Sequence, residues 1–177
     1  MSLLRHLRRF AAARRGLAAL EFAILLPMMI FLLFGAVDVI DAMGTNRRTE
    51  NVAASLADVV SRDTEVSDDE ITGLWAAMSV LMIPDAAADV RARITSIEVV
   101  SSSSAVVVWS EGHGMSPFSD GASIDLPDDM MLPGTSVILA ETEYTYEAPL
   151  GILFTGSMDF EHTAYRRSRL VDPIPHA

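Results

Sequence analysis

The run "ARRGLAALEFAILLPMMIFLLFG" holds a single acidic residue, Glu21, five positions after Gly16, with Phe22 beside it and Pro27 further along. A charge at mid-bilayer costs about 2.5–3.5 kcal/mol on insertion scales and less near the edge, so a carboxylate here needs compensation or serves a function. Elsewhere the reactive side chains form no constellation. His113 and His162 lie far apart without ligand-spaced partners, and His6 and His176 sit near the termini, so all four read as loop or surface histidines. Ser101–Ser104 reads as a turn, and neither a G-x-S-x-G elbow nor a phosphate loop occurs. Asp120, Asp125, Asp128 and Asp129 could offer oxygen ligands to Ca²⁺, but they lack EF-hand spacing and read as a solvated loop. With no cysteine, thiol catalysis, Cys-ligated metals and a disulfide framework are excluded. The expectation is a protein that is not an enzyme and holds no metal or cofactor.

The element that carries Glu21 is defined by length and composition. Leu17 to Val37 is a 21-residue run with no other charge. At about 1.5 Å per residue a helix of that length covers roughly 30 Å, the thickness of a bilayer's hydrocarbon core. Residues 1–37 carry Arg5, Arg8, Arg9, Arg14 and Arg15 against Glu21, a net +4, while the remaining 140 residues carry −15. Arginines before an apolar span hold that end in the cytoplasm, which sends the acidic remainder across the membrane. An acidic surface repels phosphate, so nucleic acid is not an expected partner. A cleaved secretory signal fits less well. The apolar run exceeds the usual ~7–15 residues of such signals, and "GAVDVIDAMG" after Phe34 offers acidic residues where small neutral ones are needed. Pro27 removes a backbone donor within the span and predicts a kink.

Beyond the span, Asp38 and Asp41 mark the exit from lipid. Val52, Leu56, Val59 and Val60 keep helical spacing, so the helix is expected to continue, with a break at Gly44–Thr45 left open. Ser67 and Glu70 match a capping box, and Ile71, Leu74, Trp75, Met78 and Met82 trace the core-packing face of a second helix ending before Pro84. The period then changes to strands at 93–100, 105–111, 135–147 and 157–167, with an irregular polar loop over 112–134. Helices followed by a strand meander predict an α+β fold: a long N-terminal transmembrane helix extending into a domain with a second helix and an antiparallel sheet of about four strands.

The residues around Glu21 resemble the processing site of type IV prepilins and pseudopilins. There a basic leader ends in glycine, a peptidase cuts after it, and glutamate stands fifth in the mature chain. The resemblance implies a cut between Gly16 and Leu17. The new amine on Leu17 would lie four residues from Glu21, on the same helix face and within the first turn, where the helix dipole favours a negative group. It further implies that Glu21 meets the N-terminal amine of a neighbouring subunit and so registers subunits by charge.

More narrowly, "RRFAAARRGLAALEFAILLPMMIFLLFG" is similar to the TadE/TadG-type proteins of the tight-adherence (Flp) pilus system, and "VILAETEYTYEAPLGILF" and "EHTAYRRSRL" resemble that family's ending. The chain is too short for the extra large domain of TadG members, so TadE is the closer match. The resemblance implies a pilin-like fold and a minor pseudopilin of the bacterial inner membrane. Its partners would be other pilins or pseudopilins, pilus-assembly proteins and the prepilin peptidase. The domains expected are a cytoplasmic leader over 1–16, a transmembrane helix over 17–37 and a periplasmic domain over 38–177. The competing expectation is an anchored periplasmic binding or scaffolding domain that is never processed.

Overall fold

The computed structural model describes residues 14–86 and 89–177, with side chains from residue 17 onward. It contains helices α1 (Arg14–Val60) and α2 (Asp68–Leu81) and strands β1 (Val90–Ser101), β2 (Ser104–His113), β3 (Ser136–Tyr146) and β4 (Met158–Arg167). The fold is α+β with a four-stranded antiparallel sheet and a long apolar N-terminal helix. Two compact units divide the chain: Met1–Asp41 with Ala148–Gly156, and Ala42–Glu147 with Ser157–Ala177.

In the first unit, α1 runs through Pro27 without interruption. Every residue from Leu17 to Phe34 is exposed. A core helix would be mostly covered, whereas only 11% of the most apolar stretch of α1 is. Apolar side chains all round an uncovered helix are what a lipid-facing helix requires.

In the second unit α1 continues through Gly44–Thr45 with no break. Ala42, Thr45, Thr49, Val52, Ala53, Leu56, Ala57 and Val60 are buried, a stripe recurring every three or four residues. Val59, expected on that stripe, is 49% exposed; the neighbouring faces are filled by Ala53 and Ala57 instead. Threonine in this stripe is satisfied locally: Thr49 Oγ1 donates to Thr45 C=O at 3.0 Å, and Thr142 Oγ1 of β3 donates to Thr49 C=O at 3.1 Å. That last bond fixes the helix to the sheet face formed by Ile138, Ala140 and Thr142. Arg48 Nε donates to Asp85 Oδ2 at 2.6 Å, and Thr45 Oγ1 to Asp85 Oδ1 at 3.2 Å, which ties the segment after α2 to the same helix.

α2 starts as its residues demand. Ser67 accepts from the Glu70 N–H, and the Glu70 carboxylate accepts from the Ser67 N–H at 2.8 Å. The Ser67 N–H foremost, and the Ser67 hydroxyl that donates to the same carboxylate at 2.9 Å, hold the Glu70 carboxyl below the usual carboxylate range. Ile71, Met78 and Met82 are buried, while Leu74 and Trp75 are half-buried.

The sheet order is β2-β1-β3-β4, not the sequential meander expected. β3 returns beside β1, with Glu98 opposite Ser136 and Ile94 opposite Ala140. β2 and β3 therefore flank β1 and run parallel to each other, so residues 114–135 must cross the sheet. The crossing covers about 17 Å, five residues of strand rise. It has a second use. Ile97, Val99, Ala105, Val137 and Leu139 form a buried cluster on that face, and Phe118, Ile124, Leu126, Met130 and Met131 of the crossing segment cover it. The segment is irregular, as its Gly, Pro and Asp content predicts, yet it serves as a packing layer. Asp120, Asp125, Asp128 and Asp129 stay exposed on its outer side. The loop's start needs glycine at 112, where an added Cβ would lie 2.1 Å from the Met115 carbonyl oxygen. Arg93 pairs with Glu141 across the strands at 2.7 Å and lies 3.7 Å from the Phe118 ring centroid, so it pins the loop from beneath.

A skipped residue in β2 lets one strand serve both faces. Ser96 pairs with Trp109 but Ile97 pairs with Val107, which leaves Val108 bulged. Trp109 thereby joins the helix-side face, where its Nε1–H donates to Ile174 C=O at 2.8 Å. Ser96 Oγ donates to the same carbonyl, and the buried Ile174 anchors the C-terminal tail.

These assignments make α1 testable by two substitutions. Leu56→Ala, at 2% exposure, is expected to cost about 2–5 kcal/mol of stability, whereas Val59→Ala one turn on costs less than about 0.5 kcal/mol. Chemical denaturation of the full chain in detergent reads both.

Candidate functional site

The residues singled out for chemistry lie on the first part of α1. Gly16, Leu17, Glu21, Phe22 and Pro27 are all helical, as are Arg14 and Arg15; Arg5, Arg8 and Arg9 lie outside the described residues. Leu17 is 59% and Phe22 58% exposed, and Glu21 is exposed between them. Leu17 and Glu21 stand four residues apart on one helical face, the spacing at which an amine on residue 17 would approach the carboxylate. Among the described residues Glu21 meets no hydrogen-bond or ion-pair partner.

The opposite end of the apolar run shows a second carboxylate, in a different situation. Asp38, read from sequence as a marker of the lipid exit, is fully buried. Its Oδ2 accepts from the backbone N–H groups of Ile152 at 2.8 Å and Leu153 at 3.0 Å, and its Oδ1 from Leu150 at 3.3 Å. Gly151, with φ +60°, takes the left-handed turn that lets consecutive amides converge on one anion. An ionised carboxylate has about four acceptor sites and no donor, which suits a ring of amides. The Leu153 N–H foremost, then those of Ile152, Leu150 and Gly151, holds the Asp38 carboxyl below the usual carboxylate range, although burial pushes the other way.

The segment so held is Ala148–Gly156, between β3 and β4, which clusters with the apolar part of α1 rather than with the sheet. The sequence carried a signal for it. From Ala148 to Met158 no residue is charged, in a region otherwise dense in acids, and "APLGILFTG" pairs apolar side chains with turn formers. What single-sequence reading lacked was the link to Asp38, more than a hundred residues away.

The remaining candidates serve the fold. His162 Nε2 lies 2.9 Å from Asn46 Oδ1, His113 packs against Trp75, and His176 packs against Trp109. Among the described residues no three His, Cys, Asp or Glu side chains gather as a metal site.

An apolar helix able to span a membrane, joined to an α+β unit, defines the class. Residues 16–58 match the family model described as TadE-like protein. The match begins at Gly16 and includes Leu17, Glu21, Phe22, Pro27 and Asp38. No curated protein and no solved structure matches the chain.

Asp38 gives a prediction with a defined sign. Its carboxyl is more acidic when docked than free, so the docked loop is favoured at pH values above the ordinary range of about 3.9 and released as pH falls through the lower, docked value. Protection factors for the Leu150, Ile152 and Leu153 amides should hold at neutral pH and collapse only in acid. Asp38→Asn, which supplies one acceptor oxygen and two unwanted donors, should lower them about tenfold at neutral pH and leave Val137 and Ile138 in β3 unchanged. Hydrogen exchange followed by mass spectrometry separates the two regions.

Proposed function

We propose that the protein is a minor pilin-like subunit, a pseudopilin rather than an enzyme, that acts in assembly of a tight-adherence (Flp) pilus or related secretion apparatus. It sits in the bacterial inner membrane with its N-terminus cytoplasmic and its C-terminal domain periplasmic. Prepilin peptidase cuts between Gly16 and Leu17, and the mature helix associates with other pilins or pseudopilins and with pilus-assembly proteins, without nucleic acid. The carrying observation is the exposed Glu21, fifth after Gly16, inside the segment that matches the TadE-like family.

The chemistry of that position favours a role between chains. Glu21 lies near the edge of the apolar run, where its cost is below the mid-bilayer figure of about 3 kcal/mol but not zero. A neighbouring subunit's new amine would offset that cost and set the stagger between helices in one step. Positive charge before the span, from Arg14 and Arg15 as well as Arg5, Arg8 and Arg9, supports the orientation.

Two measurements test the proposal. Protein purified from cells that contain the prepilin peptidase should have lost residues 1–16 by intact mass; a chain retaining Met1 would point to a plain membrane anchor instead. Glu21→Ala should abolish association with partner pilins while leaving membrane insertion intact. Undiminished co-purification of that variant with its partners would remove charge registration from the mechanism.

A further inference from the structure

The loop held by Asp38 sits beside the last turns of the apolar run. A Cβ placed on Gly35 would lie 4.0 Å from Leu153 Cβ, and Leu153 closes a shallow apolar hollow with Phe31, Gly35, Ala36 and Ile40. Gly35 is two residues inside the Leu17–Val37 span, so Leu153 lies level with residues about 3 Å below the end of that span. If the span crosses a bilayer, part of the loop enters it too. Leu150 and Leu153 remain 46% and 45% exposed, with nothing else of the described chain covering them.

Irregular backbone at that depth is costly because no water is available to its N–H groups. Here part of the cost is met inside the unit: the Leu150, Ile152 and Leu153 amides at the loop's tip all donate to Asp38. The loop thus turns these three amides inward and leaves Leu150 and Leu153 exposed. It carries no charge between Glu147 and Asp159, whereas the rest of the chain after the span is strongly acidic. A protein partner would find no charge to pair with on this loop; acyl chains require none.

We infer that Ala148–Gly156 is an interfacial loop that inserts Leu150 and Leu153 into the bilayer leaflet at the C-terminal end of the span, with Asp38 as the internal acceptor that makes insertion affordable. The occupant of the exposed leucine surface is lipid. The loop is a second membrane contact, independent of the helix's own insertion, and Asp38 is a positioning residue for it. The inference rests on the reading of Leu17–Val37 as membrane-spanning, and its test separates the two.

Because the chain has no cysteine, single-cysteine variants can be labelled at one site. Full-length protein in vesicles of phosphatidylethanolamine and phosphatidylglycerol would carry a nitroxide at Leu153→Cys or, as a second loop variant, at Leu150→Cys. Leu26→Cys serves as the mid-span marker and Leu132→Cys as an exposed marker on the sheet unit. Collision with oxygen reports lipid, and collision with a water-soluble nickel chelate reports solvent. The loop labels should shift towards the lipid signature of the Leu26 site and away from that of the Leu132 site, and Asp38→Asn should cancel the shift. A lipid signature at residue 26 with a solvent signature at both loop sites overturns the loop proposal and leaves the span intact. A solvent signature at residue 26 itself overturns both. Labels at 150 and 153 screened from oxygen and nickel alike would mean that a second polypeptide covers the loop, and the lipid assignment would fall.

Discussion

Backbone N–H and C=O groups that leave water must find partners elsewhere, and in the first unit that demand is met in two ways. Along α1 it is met by helical hydrogen bonds, which is why the greasiest run of the chain is a helix through Pro27 and beyond. In Ala148–Gly156 no regular ladder exists, and one carboxylate takes its place. Three amides at 2.8–3.3 Å from Asp38 find at the tip of an irregular loop the acceptor that a helix would supply from its own carbonyls. The positive-φ Gly151 sits at the centre of that convergence, and Leu150 and Leu153 beside it stay exposed.

The same helix meets two surroundings, and its exposure pattern records the change. Up to Phe34 it presents apolar residues in every direction, which no aqueous core helix does. From Ala42 the apolar positions narrow to a stripe of alanine, threonine and valine with Leu56. Small residues allow close approach to the sheet, and the threonines stay buried because the Thr49 hydroxyl bonds within the helix, the Thr45 hydroxyl donates to Asp85, and the Thr49 carbonyl accepts from β3. Length alone would not locate this transition; the switch from all-round to one-sided exposure does.

Much of this was legible in the residues. The apolar run, the capping box at Ser67 and Glu70, the second helix and four strands follow from patterns of period 3.6 and 2. Three features were not. Strand order depends on the crossing of 114–135, and its logic is clear only once Val107 and Leu139 are known to share a face with Ile97. The bulge at Val108 places Trp109 opposite to where strict alternation would put it, and no local signal in "AVVVWSE" marks it. Asp38 looked like a boundary residue because an acid at the end of an apolar run usually is one. Its true partners are distant amides, and backbone groups have no letter in a sequence. Glu21 was the easier acid to notice because it interrupts an apolar pattern rather than ending one.

The two acids differ in where their donors come from, and that difference assigns their roles. Asp38 is saturated by its own chain, so removing it is expected to disturb local structure whether or not another protein is present. Glu21 meets no donor among the described residues, and a helix alone cannot supply one at its depth except at its own first turn. An anion in that position lowers its free energy by approaching a cation on another molecule or by moving to the interface. Only the first option depends on a particular neighbour. If the Asp38 loop enters the leaflet as inferred, it would hold the far end of the helix at a set depth and leave Glu21 less freedom to move outward.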